Sequence, residues 1–284
     1  MSDHSSRLDK ITPRLSAFFL ACALAGGAAA IIMSSAARAG GPDAEAVTID
    51  TTFIVKTPDV RLDKPAHDAR ASVILMAGGN GLLKLDPSGT IIDSTGSFLI
   101  RSANLFLRHG LNVMMADTTP AHPTGIDVTF RLDPVHAAEL QGFINAAVSR
   151  WSKPVWVVGT SNGSVSAVTA AGFTMSGLSG LRGVVLTSPV TVLGGNQTTF
   201  SQYVANITVP TLVVWHQNDH CTLSPPAGSS ALFISILSST KDSESFQGGH
   251  SVATDPCGAF SEHGYAGIEE DVVKEIADFI KDTK

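Results

Sequence analysis

Pro154-Val155-Trp156-Val157-Val158-Gly159-Thr160-Ser161-Asn162-Gly163-Ser164-Val165-Ser166-Ala167 joins an apolar, β-rich run to a small-residue helical pattern through G-x-S-x-G. That is the sequence form of a nucleophile elbow. A sharp turn from strand to helix strains the serine backbone and presents its hydroxyl at the top of a sheet, and flanking glycines leave room for neighbouring backbone. Ser161 is therefore the candidate catalytic nucleophile.

Outward from this turn, short apolar runs alternate with helical patterns, which predicts a doubly wound, mostly parallel sheet with helices on both faces, an α/β fold. Strands are expected at Thr52 to Lys56, Ser72 to Ala77, Asn112 to Ala116, Val155 to Val158, Gly183 to Thr187, Thr211 to Trp215 and Ser245 to Gln247. Helices are expected at Phe98 to Arg108, Val135 to Arg150, from Asn162 onward, at Ser229 to Leu237 and at Glu269 to Lys281. Sheets of this type place active sites at the carboxyl ends of their strands, so the loops there carry the search for chemistry.

After Thr211 to Trp215 comes His216-Gln217-Asn218-Asp219-His220-Cys221, which offers Asp219 as the carboxylate that would orient an imidazole. Asp117 also ends a strand but precedes Ser161, against the order serine, acid, histidine expected here. The histidines after Asp219 are His220, His250 and His263. His220 adjoins the acid too closely to reach both partners. His250 follows two glycines after the last strand and is the alternative base. His263, six residues after Cys257, is preferred because a Cys221–Cys257 bridge would hold its loop against the Asp219 loop. The third loop, Ala77-Gly78-Gly79-Asn80-Gly81, is glycine-rich; a backbone N–H of Gly79 or Asn80, with that of Asn162, would hold an oxyanion. It has neither G-x-x-x-x-G-K-[ST] nor a full G-x-G-x-x-G, so phosphate binding is not indicated.

The N-terminus bears on location. Arg7, Lys10 and Arg14 precede an uncharged stretch from Leu15 to Met33, closed by Ala37-Arg38-Ala39, a cleavage site of signal-peptidase type. Residues 1–39 are expected to be a signal peptide and 40–284 a single catalytic domain, exported to the periplasm or secreted, with an uncleaved N-terminal anchor as the alternative. Cys22 only loosely resembles a lipoprotein site. The leader carries four of the 19 basic and two of the 25 acidic residues, so the remainder has a net charge of about −8, which argues against nucleic acid as a partner. No stable membrane association is expected after cleavage. Cys221 and Cys257 are the two cysteines that remain, and an exported chain favours their pairing. No metal site is expected: His216, His220 and Cys221 match no common zinc spacing.

Gly78-Gly79-Asn80-Gly81, Gly159-Thr160-Ser161-Asn162-Gly163, Asp219 and His263, in this order and on these strands, resemble the α/β-hydrolase fold over nearly all of residues 40–284. Asp219-His220-Cys221, Pro256-Cys257-Gly258 and Ser261-Glu262-His263-Gly264 are also similar to exported bacterial hydrolases of unassigned substrate. One departure is Asn162, where His, Gln, Met or Arg is often found. The resemblance implies a Ser161–His263–Asp219 triad acting by acyl transfer on a small-molecule ester or related acyl substrate, with no cofactor. A peptidase, an acyltransferase or a non-catalytic binding module on the same fold are the alternatives. The roughly 20 residues between Thr187 and Thr211 leave no room for a large cap, which favours small or extended esters.

Overall fold

The computed structural model describes the backbone at residues 44–48 and 59–63 and the chain from 68 to 283. The strand expected at Thr52 to Lys56, the leader and Cys22 lie outside the described residues. In chain order the first elements are β1 (Ala44–Thr48), β2 (Asp59–Asp63), β3 (Ala71–Met76), α1 (Phe98–Arg101), α2 (Ala103–Arg108) and β4 (Leu111–Ala116). Then come α3 (Val128–Arg131), α4 (Pro134–Trp151), β5 (Val155–Thr160), α5 (Asn162–Gly172), β6 (Leu181–Thr187) and α6 (Gln197–Asn206). The chain ends with β7 (Thr211–His216), α7 (Pro226–Ser235), β8 (Lys241–Phe246) and α8 (Glu269–Asp282).

The eight strands form one sheet in the order β1-β2-β4-β3-β5-β6-β7-β8. From β4 to β8 every pairing is parallel, and β1 and β2 extend the β4 edge antiparallel. Central strands buried on both faces read as continuous apolar runs, and alternate residues feed two cores. Ile74, Met76, Val157, Val184 and Val213 pack with Leu140, Phe143, Val165, Val168 and Phe200, beneath α4, α5 and α6. Val73, Leu75, Trp156, Val158, Leu212 and Val214 pack with Phe98, Phe106, Val272, Ile276 and Ile280, beneath α1, α2 and α8.

The chain runs from β3 outward to β4 and then returns to the other side of β3 with β5. This reversal makes the carboxyl ends of β3 and β5 the crevice where such sheets bind ligands. Those ends carry Gly78-Gly79 and Ser161.

Differences from the sequence reading have local causes. The helix expected over Phe98 to Arg108 is interrupted at Ser102, and the helix expected at Ser229 to Leu237 starts earlier, at Pro226, where proline suits a first turn. The last strand begins at Lys241, because Lys-Asp-Ser-Glu-Ser is a polar edge strand whose backbone pairing with β7 is invisible to hydropathy. The β6–β7 connection holds α6 and no large cap.

Candidate active site

Ser161 sits between β5 and α5 with φ 51° and ψ −127°, a backbone conformation that L-residues rarely adopt. Two glycines permit it. A Cβ on Gly163 would run into the Met76 carbonyl and lie 2.7 Å from the Ala77 oxygen; one on Gly159 would run into the Gly163 carbonyl. The Ser161 N–H donates to the Thr187 carbonyl at 3.0 Å, tying the turn to β6. Because α5 starts at Asn162, Ser161 stands at a helix N-terminus, where aligned N–H groups favour negative charge.

Asp219 and His263 meet across 44 residues of sequence. His263 Nδ1 lies 2.8 Å from Asp219 Oδ2, with both side chains buried. The other carboxylate oxygen accepts the Cys221 N–H at 2.8 Å. With its Nδ1–H on the carboxylate, the imidazole offers Nε2 as a base, and Nε2 is buried with no hydrogen-bond partner among the described residues. Ser161 and His263 both line a cavity of about 270 Å³, together with Gly78, Gly79, Ser97 and Phe98.

The bridge expected from the cysteine count is present. Cys221 and Cys257 are bonded with Cα atoms 4.6 Å apart, and Cys257 lines the same cavity. The link therefore runs from the loop of Asp219 to the loop of His263.

The remaining candidates fall elsewhere. His250 is exposed, and its backbone N–H donates to the Ala266 carbonyl. His220 is exposed beside Asp219. His216 is buried and structural: its Nδ1 accepts the Asn218 N–H, so its Nε2–H donates to the Gly248 carbonyl at 2.9 Å. Asp117 accepts the N–H groups of Leu83, Leu85 and Thr118 and so organises the loop after β3. Among the described residues there is no group of three or more His, Cys, Asp and Glu side chains placed to hold a metal ion.

In the glycine-rich loop Gly79 lines the cavity, while the Asn80 side chain turns outward to the Thr124 carbonyl and the Leu82 N–H. The Asn162 side chain donates to the Gly79 carbonyl at 3.0 Å, so the residue after Ser161 also anchors this loop.

Three supports had no signal in the sequence. Tyr265, two residues after His263, is buried in a left-handed conformation; its hydroxyl donates to the Val214 carbonyl at 3.0 Å and accepts the Ser188 N–H at 2.9 Å. Burial pushes its phenol well above the ordinary tyrosine range. Ser188 in turn donates through Oγ to the His263 carbonyl. Beneath the glycine loop, Arg131 is fully buried; it donates to Ser166 Oγ at 2.7 Å and reaches the Ala77 and Gly79 carbonyls at 3.4 Å. Ser166 then donates to His136 Nε2, and His136 Nδ1–H bonds Glu139, both at 2.8 Å. Burial lowers Arg131 to about 10 and holds His136 below its ordinary value, consistent with a neutral imidazole in this chain of bonds. The third support is Arg101, whose guanidinium bonds carbonyls of Gly96 and Gly264 in the cavity walls.

No family model matches the chain, and no curated protein does either. Solved structures do match. Est1E from Butyrivibrio proteoclasticus is 14% identical, with 83% of this chain and 97% of that one covered and a TM-score of 0.58. A dienelactone hydrolase from Anabaena variabilis is 15% identical, with 84% and 97% covered and a TM-score of 0.57. A cold-adapted esterase from an Arctic intertidal metagenomic library is 15% identical, with 83% and 92% covered and a TM-score of 0.54. Strand order, parallel register and these likenesses give the chain the α/β-hydrolase fold.

Proposed function

We propose that the protein is a serine hydrolase that cleaves a carboxylic ester of a small molecule, with Ser161 as nucleophile, His263 as base and Asp219 as the acid that orients it. The observation that carries this reading is the Asp219–His263 pair: its Nε2 has no hydrogen-bond partner among the described residues, and His263 lines the same cavity as strained Ser161. The fold shared with esterases and a dienelactone hydrolase supports the same reaction class.

In this mechanism His263 Nε2 takes the hydroxyl proton as Ser161 Oγ bonds to the ester carbonyl carbon. The carbonyl oxygen becomes an oxyanion held by the N–H of Asn162 and one from Gly79 or Asn80. Collapse returns the proton from His263 to the departing alcohol and leaves an acyl-enzyme, which water cleaves by the same steps. Asp219 stays ionised and stabilises the imidazolium. Among the described residues the cavity is lined by no Asp, Glu, Lys or Arg side chain, and the β6–β7 connection supplies no large cap, which suits a short, neutral acyl group. We also propose export of the chain after removal of residues 1–39; the Cys221–Cys257 bridge supports an oxidising compartment.

A fluorophosphonate probe tests the assignment, with the labelled residue mapped by peptide mass spectrometry. Ser161 is the expected site; Ser161→Ala and His263→Ala should abolish labelling, while His250→Ala should retain it. A folded protein that takes no label, or one that loses it in His250→Ala alone, would overturn the triad.

A further inference from the structure

Two loops wall the cavity above Ser161. One runs through Ser94, Gly96, Ser97 and Phe98; the other runs through Cys257, Ala259, His263 and Gly264. They meet at Gly96 and Phe260, where a Cβ on Gly96 would lie 2.9 Å from the Phe260 ring. Behind that seam sits Arg101, the last residue of α1, which does not itself line the cavity.

The Arg101 guanidinium uses its whole fork. Nη1 donates to the Gly96 carbonyl at 2.6 Å, on one wall. Nη2 donates to the Gly264 carbonyl at 2.6 Å, on the other wall and one residue beyond His263. Nε and Nη2 share Glu269 Oε1 at 3.1 and 2.9 Å. The same group lies 4.9 Å from the centre of the Phe260 ring. A planar donor array can satisfy two carbonyls and a carboxylate at once, which a lysine ammonium on a flexible stem does not reproduce. At 15% side-chain exposure the group is shielded enough for these charge-assisted bonds to fix geometry.

We propose that Arg101 is a specificity-determining positioning residue: by holding one carbonyl of each wall it sets the width of the cleft over Ser161 and restricts the acyl group to short chains. This rests on the ester-hydrolase reading above. The acyl group would enter between the 94–98 and 257–264 segments. Loosening the clamp lets the walls part, which admits longer chains while it slackens the loop of His263. Acetyl transfer then becomes slower through kcat, and longer acyl groups gain through KM.

The test uses the full-length protein with p-nitrophenyl acetate, butyrate and octanoate. The wild type should prefer acetate. In Arg101→Lys the ratio of kcat/KM for octanoate over acetate should rise about tenfold, the scale on which pocket fit discriminates acyl size. Phe260→Ala, at an exposed rim position, should move the ratio the same way and serves if Arg101→Lys does not fold. A residue that only stabilises the fold would depress all three esters alike. A ratio within about twofold of wild type in a folded Arg101→Lys, or in Phe260→Ala if that is the folded variant, overturns the proposal while leaving the triad standing. If the wild type cleaves none of the esters and Ser161 takes no fluorophosphonate, the hydrolase reading itself fails and this proposal falls with it.

Discussion

Removing the Cys221–Cys257 bridge is expected to reduce stability and turnover through separate effects, and the first can be calculated. The bridged residues are 36 apart in sequence. Loop-closure entropy for a ring of that size corresponds to about 4 kcal/mol at room temperature. In a domain of this length each kcal/mol moves Tm by roughly 2–4 °C, so a Cys221→Ser/Cys257→Ser double variant should melt about 8–16 °C lower. The second effect is local. The Cys221 N–H holds Asp219 Oδ1, and Cys257 begins the loop that delivers His263. Without the bridge this alignment depends on the Asp219–His263 hydrogen bond and the Tyr265 and Arg101 anchors, and kcat/KM for p-nitrophenyl acetate should fall about ten- to a hundredfold. Thermal unfolding by circular dichroism, with turnover measured below the lower Tm, separates the two. A double variant that melts within about 2 °C of wild type would refute the entropic estimate. Normal turnover at a temperature where it is folded would refute the claim that the bridge aligns the site.

Tyr265→Phe removes the hydroxyl that bonds the Ser188 N–H and the Val214 carbonyl, which stay paired with each other at 2.8 Å, and should cost about 1 kcal/mol in urea unfolding, with a lowered kcat because Ser188 also holds the His263 carbonyl. Burial holds His136 below its ordinary value of 6.5, so the unfolded chain binds its proton first as the solution is acidified. Its contribution to stability is complete above that value and is lost as pH falls through the depressed folded value. Tm should therefore drop between about pH 7 and pH 5, and less steeply in His136→Gln. Gly163→Ala places a methyl against the Met76 and Ala77 carbonyls, neither of which can yield without moving β3, and should destabilise by about 2 kcal/mol or more, read as a lowered urea midpoint with reduced fluorophosphonate labelling.

The elbow was legible because every level agreed there: a β-branched run, two glycines around a serine, then a helix of small residues that packs closely on the sheet. The strands flanking it were also legible, since burial on both faces leaves a continuous apolar run. β8 was not, because an edge strand with the polar sequence Lys-Asp-Ser-Glu-Ser-Phe pairs through its backbone, which composition does not record. Asp219 and His263 could be ordered along the chain by rule, and the cysteine pair indicated which histidine loop lies beside the acid; the structure puts His263 there and leaves His250 exposed. Gly79 and Asn80 were candidates through their backbone N–H groups, from a glycine-rich turn at a strand end, and hydropathy gave no sign that the Asn80 side chain would reach the Thr124 carbonyl.

Arg101, Arg131 and Tyr265 were silent for a common physical reason. Each acts by satisfying backbone carbonyls or N–H groups of loops distant in sequence, and such partners have no side-chain identity to read. The consequence reaches the chemistry. An elbow serine is positioned by local geometry, but the imidazole comes from a long irregular loop that carries no strand or α-helix of its own between β8 and α8. Its placement must be set by tertiary bonds, and the structure supplies them from three directions: the disulfide through Cys257, the phenol of Tyr265 from beneath β6 and β7, and the guanidinium of Arg101 from α1. Because these supports contact different residues of the loop, loss of one should leave Asp219 and His263 within bonding range. The expected signature is graded loss of turnover in single variants and a more than additive loss when two are combined, since each remaining support then carries the displacement alone.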